Sequence, residues 1–196
     1  MTSTHKTIAF LKRRVAVTDE EALVFSEAFE EKVLRKNQIL VQPGFTAKYK
    51  YYVLDGALRS FVVTALGQEV TYELAVDDWW ITDYNSFIYQ QPATLFVEAA
   101  TNSTVLQLNF EKEQWLKQSN PRFETFFRII AERGLASHQR RLICNLTLSA
   151  EERYTQFLHD LPQFADAFPQ YVLASYLGMT TEFLSKIRNK KVKKKS

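Results

Sequence analysis

"LASYLGMTTEFLSKIR", residues Leu173–Arg188, places apolar side chains at helical spacing on both sides of a single glycine. Gly178 can take the left-handed conformation that ends a helix, and Thr180 is a good N-cap for the next helix. The positions that this pattern would bury between two short helices are Leu173, Ala174, Leu177, Leu184 and Ile187. Ala174 is small enough for the helices to cross closely. The stretch therefore predicts a helix-turn-helix unit.

The outer side of the second helix carries side chains that suit contacts with DNA. Together with the cap, these residues are Thr180, Thr181, Glu182, Ser185, Lys186, Arg188, Asn189 and Lys190. Lysine and arginine donate to guanine edges or to phosphates, asparagine pairs with adenine, and glutamate accepts from cytosine. Since the second helix of such a unit lies in the major groove, we expect residues 181–186 to read bases and Arg188 and Lys190 to hold phosphates. The alternative at this point is a helix pair that serves only packing.

The net charge of +3 is distributed unevenly along the chain. Residues 186–196 contain seven basic residues and no acid, whereas residues 1–185 carry a net charge of −4. A basic run is often only a solvated tail, but one that begins inside a helix-turn-helix has the charge that a polyanion selects. Double-stranded DNA is therefore the predicted partner.

The composition excludes several classes of protein. With 196 residues, of which 46% are hydrophobic, the chain is long enough for a packed core. No apolar run approaches the ~18 residues of a membrane helix and the opening MTSTHKT is polar, so we expect no membrane partner and a cytoplasmic location. Cys144 is the only cysteine, which excludes internal disulfides, cysteine-based zinc sites and iron–sulfur clusters. His5, His138 and His159 lie far apart in the sequence, and we expect no metal site.

Between residues 38 and 108 the sequence changes to short runs rich in β-branched and aromatic residues. Turn-forming pairs such as Asp55-Gly56 separate these runs, which is typical of the strands of an antiparallel β jelly roll. The segment WWITDYNSFIYQQPA, residues 79–93, interrupts the alternation. It predicts a loop with a short helix on the wall of the barrel.

Capping boxes mark the start of two helices outside the strand region. The box Thr18–Glu21 predicts an amphipathic helix of about four turns. The apolar side of that helix would be formed by Ala22, Phe25, Phe29 and Val33. The second box, Ser149 with Glu152, predicts the first helix of a small C-terminal domain.

A long helix is predicted from Pro121 to about Asn145. Its first half is strongly apolar, and its second half is interpreted as small or polar from Ser137, His138 and Arg141. The apolar stripe can pack on the chain's own barrel or form a seam with the same helix of a second chain. We favour the seam because the stripe is broad. The predicted dimer interface consists of Phe123, Phe127, Ile130 and Gly134.

The order of cap helix, β-barrel, long helix and helix-turn-helix resembles the Crp/Fnr superfamily of bacterial transcription factors. The most specific parts are LTLSAEERYTQFL and PQYVLASYLGMTTEFLSKIR, which are similar to the branch of the superfamily common in Bacteroidetes. The resemblance covers nearly the whole chain. It implies an α+β protein with a cyclic-nucleotide-binding-like jelly roll at residues 1–118, a dimerisation helix at 119–146 and a winged helix-turn-helix at 147–196. It also brings RNA polymerase into consideration as a partner.

The ligand site departs from the pattern of the superfamily. Its cyclic-nucleotide binders use a Gly-Glu pair followed roughly ten residues later by Arg-Ser or Arg-Thr, because a cyclic phosphate needs a cation and backbone amides. Here Asp83 stands where the glutamate would be and Thr82 replaces the glycine. Between Arg59 and Lys112 the sequence contains no arginine or lysine. Cyclic AMP is therefore not expected to bind.

Aromatic and polar residues of the same segment are candidates for a pocket that takes a flatter or less charged effector. The candidates are Trp80, Asp83, Tyr84, Ser86 and Phe87. The alternative is aromatic packing beneath a loop. Few residues follow Arg188, so a wing hairpin would have to precede the helix-turn-helix, in the segment PQFADAFPQ at residues 162–170.

These observations predict a homodimeric, sequence-specific DNA-binding transcriptional regulator. The alternative is a small-molecule-binding jelly-roll module that has lost productive DNA recognition. An enzyme on a jelly-roll scaffold would need clustered histidines and carboxylates for a metal, and the strand region contains no histidine. No cofactor is predicted, and an unidentified small-molecule effector stays open.

Overall fold

The computed structural model describes the backbone of residues 3–193 and the side chains of residues 4–190. The helices are α1 (Ser3–Lys12), α2 (Asp19–Glu27), α3 (Tyr84–Tyr89), α4 (Phe110–Ser119), α5 (Pro121–Thr147), α6 (Ala150–Asp160), α7 (Pro162–Ala167), α8 (Gln170–Tyr176) and α9 (Thr181–Lys193). The strands are β1 (Glu30–Leu34), β2 (Ile39–Val41), β3 (Tyr49–Asp55), β4 (Leu58–Val63), β5 (Glu69–Ala75), β6 (Trp80–Ile81), β7 (Phe96–Ala99) and β8 (Ser103–Asn109). The predicted α+β class is confirmed.

Two four-stranded antiparallel sheets form the N-terminal β-sandwich. One sheet has the strand order β1-β8-β3-β6 and the other β2-β7-β4-β5. Strands distant in sequence are neighbours, as β1 and β8 are, which gives the crossed connections of a jelly roll. The predicted jelly roll is confirmed, and so is the short helix α3 within residues 79–93.

The space between the two sheets is filled with apolar side chains. Strand β3 shows the alternation, because Tyr51 and Val53 face this interior while Tyr52 and Leu54 face the other side of the sheet. The interior residues include Leu34, Val41, Val53, Leu58, Ile81, Phe87, Val97 and Val105. The sandwich is therefore a packed core.

A second core lies on the outer face of the β1-β8-β3-β6 sheet, where α1, α2, α4 and the first half of α5 cover it. Its centre is a group of phenylalanines. The ring of Phe126 meets Phe10 edge-on at 4.8 Å and Phe25 at 5.1 Å between centroids. Phe123 and Phe127 belong to the same core and are 1% and 5% exposed. The first half of α5 is thereby fixed to its own barrel.

The predicted four-turn helix after Thr18 is wrong in its second half. The capping box between Thr18 and Glu21 is present, but α2 ends at Glu27. Val33 lies in β1 opposite Thr104 of β8 and is exposed. Backbone pairing with β8 decides the conformation here, since it satisfies the donors and acceptors of residues 30–34 along a neighbouring strand.

Helices α6 to α9 pack around a third apolar core that includes Phe157, Phe164, Leu173 and Leu184. The predicted capping box of Ser149 and Glu152 opens α6. Residues 162–170, the only segment left for a wing hairpin by the sequence, form α7 and the start of α8. Proline at the first turn of α7 suits a helix, since its missing N–H is not needed there. Within residues 3–193 no strand follows Asn109.

Candidate DNA-binding, dimerisation and ligand sites

The turn between α8 and α9 has the geometry that the sequence predicts. Gly178 adopts a φ of +66°, and the N–H of Met179 donates to the carbonyl of Ala174 at 3.0 Å. Thr180 caps α9, because its Oγ1 accepts from the N–H of Phe183 at 3.2 Å. The predicted buried positions, all at most 5% exposed, are Leu173, Ala174, Leu177, Leu184 and Ile187. The helix-turn-helix arrangement is thus present.

The predicted DNA-contacting residues lie together on α9 and its cap. Ser185 is half-buried, and the exposed residues are Thr180, Thr181, Glu182, Lys186, Arg188, Asn189 and Lys190. Hydrogen bonds from the backbone at the helix start and from Thr180 hold the pKa of Glu182 below its usual value. Glu182 is therefore a carboxylate at neutral pH and can only accept hydrogen bonds.

Two features lie beside the DNA-contacting face of α9, an ion pair and a cleft. Lys190 Nζ donates to Glu151 Oε1 of α6 at 2.9 Å, and an exposed ion pair of this kind contributes only about 0–1 kcal/mol. The first turn of α9 shares a solvent-open cleft with the β4–β5 hairpin. On the helix side this cleft is lined by Thr180, Thr181 and Glu182, and on the hairpin side by Gln68, Glu69 and Val70.

The C-terminal domain is attached to the barrel at strand β5, an edge strand. The N–H of Thr71 donates to Ser175 Oγ at 2.8 Å, and that hydroxyl donates to the carbonyl of Glu69 at 3.1 Å. Ser175 of α8 thus takes the place of a neighbouring strand over these residues. A serine hydroxyl can do this because it both donates and accepts.

The second half of α5 reaches the same strand at a β-bulge. In the β4–β5 pairing Ser60 opposes Glu73 and Phe61 opposes Thr71, so Tyr72 is the extra residue. The carbonyl of Tyr72 accepts from Arg141 Nη1, and its ring stacks on His138 with 5.4 Å between centroids. The bulge therefore directs Tyr72 towards α5.

The predicted dimer interface is wrong for its two phenylalanines. Phe123 and Phe127 are buried against the chain's own barrel and are unavailable to a partner. Ile130 packs partly on the same core, and Gly134 is half-buried with nothing within 4 Å of where a Cβ would lie. For these two phenylalanines the alternative interpretation is correct, because the apolar stripe of α5 packs on its own barrel.

The interpretation of the second half of α5 as small or polar is wrong. This half exposes four large aliphatic side chains, which are 52–76% exposed: Leu135, Leu142, Ile143 and Leu146. Leu135 and Leu142 are seven residues apart and Leu146 follows four residues later, which is the spacing of a coiled-coil seam. We call these four residues the leucine face.

The predicted ligand-pocket residues are engaged in holding the barrel together. Asp83 caps α3 by accepting from the N–H of Ser86 at 3.0 Å, and its other oxygen accepts from the N–H groups of Thr94 at 2.8 Å and Leu95 at 3.3 Å. Ser86 Oγ accepts from Ala47 N–H at 2.8 Å. Both carboxylate oxygens of Asp83 are therefore used within the chain.

The aromatic members of the predicted pocket also pack against protein. Trp80 lies 5.4 Å from Tyr52 between ring centroids, and Phe87 meets Phe110 at 5.6 Å. Tyr84 is half-buried at the start of α3. These contacts agree with the alternative to a ligand pocket, which is aromatic packing beneath a loop.

Two buried cations of the barrel, Arg59 and Lys50, are paired with carboxylates. Arg59 of β4 pairs with Glu69 at 2.7 Å and lies over the ring of Tyr171 of α8. Lys50 of β3 pairs with Glu113 of α4 at 2.5 Å. Burial lowers the pKa of Lys50.

In the part of the chain that the structure describes, no three His, Cys, Asp or Glu residues form a group able to hold a metal ion. Among the same residues no helix is long and apolar enough to cross a membrane.

Sequence analysis missed the leucine face, the Ser175 contact and the Arg141 contact. The sequence contains a signal for the first of these, because aliphatic residues recur at heptad spacing between charged ones in residues 135–146. The other two join residues more than 65 positions apart, and nothing local marks them.

Comparison with known proteins finds bacterial regulators among the chains that are similar to this one. Residues 31–120 match the family described as the cyclic nucleotide-binding domain. The regulatory protein HlyX of Actinobacillus pleuropneumoniae is 22% identical over 170 residues, which cover 80% of this chain and 69% of HlyX. The transcriptional activator protein FnrA of Stutzerimonas stutzeri is 25% identical over 167 residues, which cover 79% of this chain and 67% of FnrA. The match thus spans about two thirds of each regulator.

The structure of FixK2 from Bradyrhizobium japonicum has a TM-score of 0.73 to this chain at 18% identity. It covers 83% of both chains. This likeness shows that the order of jelly roll, long helix and helical C-terminal domain is a shared fold.

Proposed function

We propose that this chain, which belongs to the Crp/Fnr superfamily of transcriptional regulators, binds operator DNA through α9 as a two-fold dimer. The observation that carries the proposal is the exposed polar and basic face of α9 behind a well-formed turn at Gly178. A helix presented in this way enters the major groove, where base edges carry a distinct pattern for each pair. The relatives are regulators and not enzymes.

Base reading falls to the first turns of α9. Thr181, Glu182, Ser185 and Lys186 follow the cap, and a recognition helix contacts base edges with its N-terminal residues. Arg188, Asn189 and Lys190 lie further along and are assigned to the phosphates and the flanking base. Lys190 exchanges Glu151 for a phosphate, which is favourable because DNA presents a higher density of negative charge.

The second copy of the chain is the partner proposed for the leucine face. Three of its residues follow a heptad pattern, and the superfamily places a dimerisation helix at this point in the chain. A symmetric pair of α5 helices would bury the face against itself. We accordingly place the sensor domain at residues 1–118, the dimerisation helix at 119–146 and the DNA-binding domain at 147–196.

Cyclic AMP is not a ligand of the barrel in this proposal. A cyclic phosphate would enter a core of aliphatic side chains, and an unpaired anion in such surroundings costs several kcal/mol or more. Asp83, at the position of the ligand-binding glutamate, is occupied by backbone donors. Calorimetric titration is expected to show no binding, and a dissociation constant of about 1 μM would overturn this part of the proposal.

Selection of bound sequences from random duplex DNA tests the main proposal. The purified protein is expected to enrich a palindrome, since a two-fold dimer reads two half-sites. Failure to enrich any sequence, with or without cell extract, would favour the alternative of a jelly-roll module without DNA recognition. Contact with RNA polymerase and a cytoplasmic location follow from the regulator role and belong to the same proposal.

Two single variants distinguish contacts that read bases from contacts that bind phosphates. Lys186→Ala should weaken binding by about 1–3 kcal/mol at the matched site and relax the preference at one position of each half-site. Lys190→Ala should weaken all duplexes alike and lower the salt slope by about one. Lys36→Ala, an exposed lysine between β1 and β2, is the control and should change neither. If both α9 variants lost the same affinity for every duplex, α9 would contribute only sequence-independent electrostatic binding.

A further inference from the structure

A cleft lies where the second half of α5 meets the C-terminal domain, with walls from α5, α6 and the end of α8. Its cavity volume is about 80 Å³, and it opens to solvent. The lining residues used below are Arg140, Arg141, Cys144, Arg153, Asp160 and Tyr176. The cleft is separate from the barrel and from the exposed face of α9.

The charge of the lining favours an anion. Arg140, Arg141 and Arg153 contribute three guanidinium groups, and Asp160 contributes one carboxylate. That carboxylate accepts from Gln156 Nε2 at 2.9 Å and contacts His159 Nδ1 at 2.8 Å. These hydrogen bonds, that of Gln156 first, lower the pKa of Asp160. A single ionised acid therefore faces three cations.

Two of the arginines are held in place by carbonyl groups. Arg153 Nε donates to the carbonyl of Leu177 at 3.2 Å, and its Nη1 donates to that of Leu148 at 2.9 Å. Arg141 donates through Nη1 to Tyr72 and lies 4.4 Å above the ring centre of Tyr176. Groups that are already fixed lose little conformational entropy when a ligand binds.

Arg141 also has an unmet hydrogen-bonding need. Its Nε is buried and has no hydrogen-bond partner among the residues that the structure describes. A buried donor without an acceptor is unfavourable because it has lost its hydrogen bond to water. Arg140 is exposed, and its charge helps to lower the pKa of Asp160. An incoming anion would supply the acceptor that Arg141 Nε lacks.

We propose that this cleft binds a small aromatic acid, whose carboxylate lies on the arginines and whose ring lies on the apolar part of the lining. The apolar part consists of Phe157, Leu161, Leu177 and the ring of Tyr176. A few charged groups above an apolar wall are the usual composition of a small-molecule site. The inference is independent of the proposed function, since the ligand needs neither DNA nor a second chain.

Binding in this place would couple the ligand to the position of the C-terminal domain. The walls come from α5 on one side and from α6 and α8 on the other, so a ligand that contacts both binds best when they are this far apart. A ligand shifts a conformational equilibrium by its difference in affinity for the two states. The acid would therefore favour the arrangement of domains described above.

Cys144 provides the test, because it lines the cleft and is the only cysteine of the chain. The probe is 2-naphthoate, and the readout is the rate at which N-ethylmaleimide, an uncharged reagent, labels the full-length protein. At about 1 mM 2-naphthoate we expect labelling about threefold slower than without it, as for a dissociation constant of about 0.5 mM. The uncharged isostere 2-naphthamide should leave the rate unchanged.

Variants then assign the protection to the arginines. Arg141→Lys keeps the charge and removes Nε, and it should lose most of the protection, as should Arg140→Gln with Arg141→Gln. Arg133→Gln, on the same helix but outside the cleft, is the matched control and should keep the protection. Unchanged labelling without ligand shows that each variant retains the cleft.

The inference would be overturned by no protection by the acid in the parent protein, by equal protection by the amide, or by equal loss of protection in Arg133→Gln. Protection by a short duplex DNA but not by the acid would assign the cleft to the nucleic-acid interface and would also overturn it. The results with the acid, the amide and Arg133→Gln do not bear on base reading by α9, so the proposed function is tested separately.

Discussion

Helix α5 consists of two halves that use the same kind of amphipathic sequence differently. In residues 121–130 the apolar side chains are mainly phenylalanines, and they are buried against the chain's own sheet and helices. In residues 131–147 they are aliphatic, and four of them are exposed. A continuous helix thus leaves its own domain at about Ile130.

The difference shows that the spacing of apolar residues predicts which side of a helix is apolar. It does not predict whether that side packs on the same chain or on another one. Phe126 meets two aromatic rings contributed by α1 and α2, which lie over the same sheet. Beyond Ile130 the contacts of α5 with the sandwich are made by Arg141 and His138 at the edge strand β5. These contacts leave the leucine face uncovered.

The largest expected effect concerns the buried half. Phe126→Ala should lower the free energy of unfolding of the sensor domain by about 3–5 kcal/mol, because it opens a cavity among packed rings. Leu146→Ala, in the exposed half, should change it by no more than about 0.5 kcal/mol in the monomer. Urea unfolding at low protein concentration measures both. Similar values for the two variants would remove the distinction between the halves.

The leucine face provides the next largest effect. Leu142→Asp combined with Leu146→Asp should raise the dimer dissociation constant at least about 100-fold, a loss of about 2.7 kcal/mol, while the monomer stays folded. Leu23→Asp, an exposed leucine of α2, is the control and should leave the dimer intact. Sedimentation velocity over a range of concentrations reads the result. A dimer that tolerates the double change would require another interface.

Removing the hydroxyl of Ser175 should moderately weaken the docking of the C-terminal domain on strand β5. Ser175→Ala leaves the Thr71 N–H without its acceptor, which should weaken docking on β5 by about 1–2 kcal/mol. Hydrogen exchange of the Thr71 amide should speed up by about tenfold or more, as a change of 1.4 kcal/mol implies. Amides of β3, in the other sheet, serve as internal reference and should be unaffected.

The smallest effect is the pH dependence of the anchor at the start of α5. Glu21 accepts from Asn120 and Arg122 as well as from Thr18, and the Thr18 backbone bond is the largest cause of its lowered pKa. Because the folded-state pKa lies below the ordinary 4.5, this stabilisation is present above about pH 4.5 and is lost as the pH falls through the lower value.

Glu21→Gln should therefore flatten the change in stability between about pH 5 and pH 3. Glu20→Gln, the adjacent exposed acid, should leave the slope as it is. Unfolding by urea at several pH values measures the slope. An equal change in both variants would mean that Glu21 has no special role in fixing the first half of the helix.

The parts of the fold that the sequence predicted are those with local signals. The turn at Gly178, the cap at Thr180 and the two capping boxes depend on residues within five positions of one another. The jelly roll was predicted from the alternation of its strands and the turns between them. In each case the conformation depends on interactions that the sequence window contains.

The errors arise where distant residues decide. Phe29 and Val33 fit a helix by spacing, yet pairing with β8 turns this segment into β1. Phe123 and Phe127 were assigned to a second chain because nothing in the stripe shows that α1 and α2 already cover it. Asp83 has the right position for a ligand, but its role depends on the N–H of Thr94, which lies on the far side of the α3 loop.

The contact of Ser175 with β5 has a consequence for the behaviour of the protein in solution. An edge strand with unpaired N–H and carbonyl groups is a template on which another chain can add a strand, and natural proteins cover such edges. Here the cover is Ser175 of α8. Movement of α8 away from Glu69 and Thr71 would uncover this edge, so the docked position of α8 also protects the protein against aggregation.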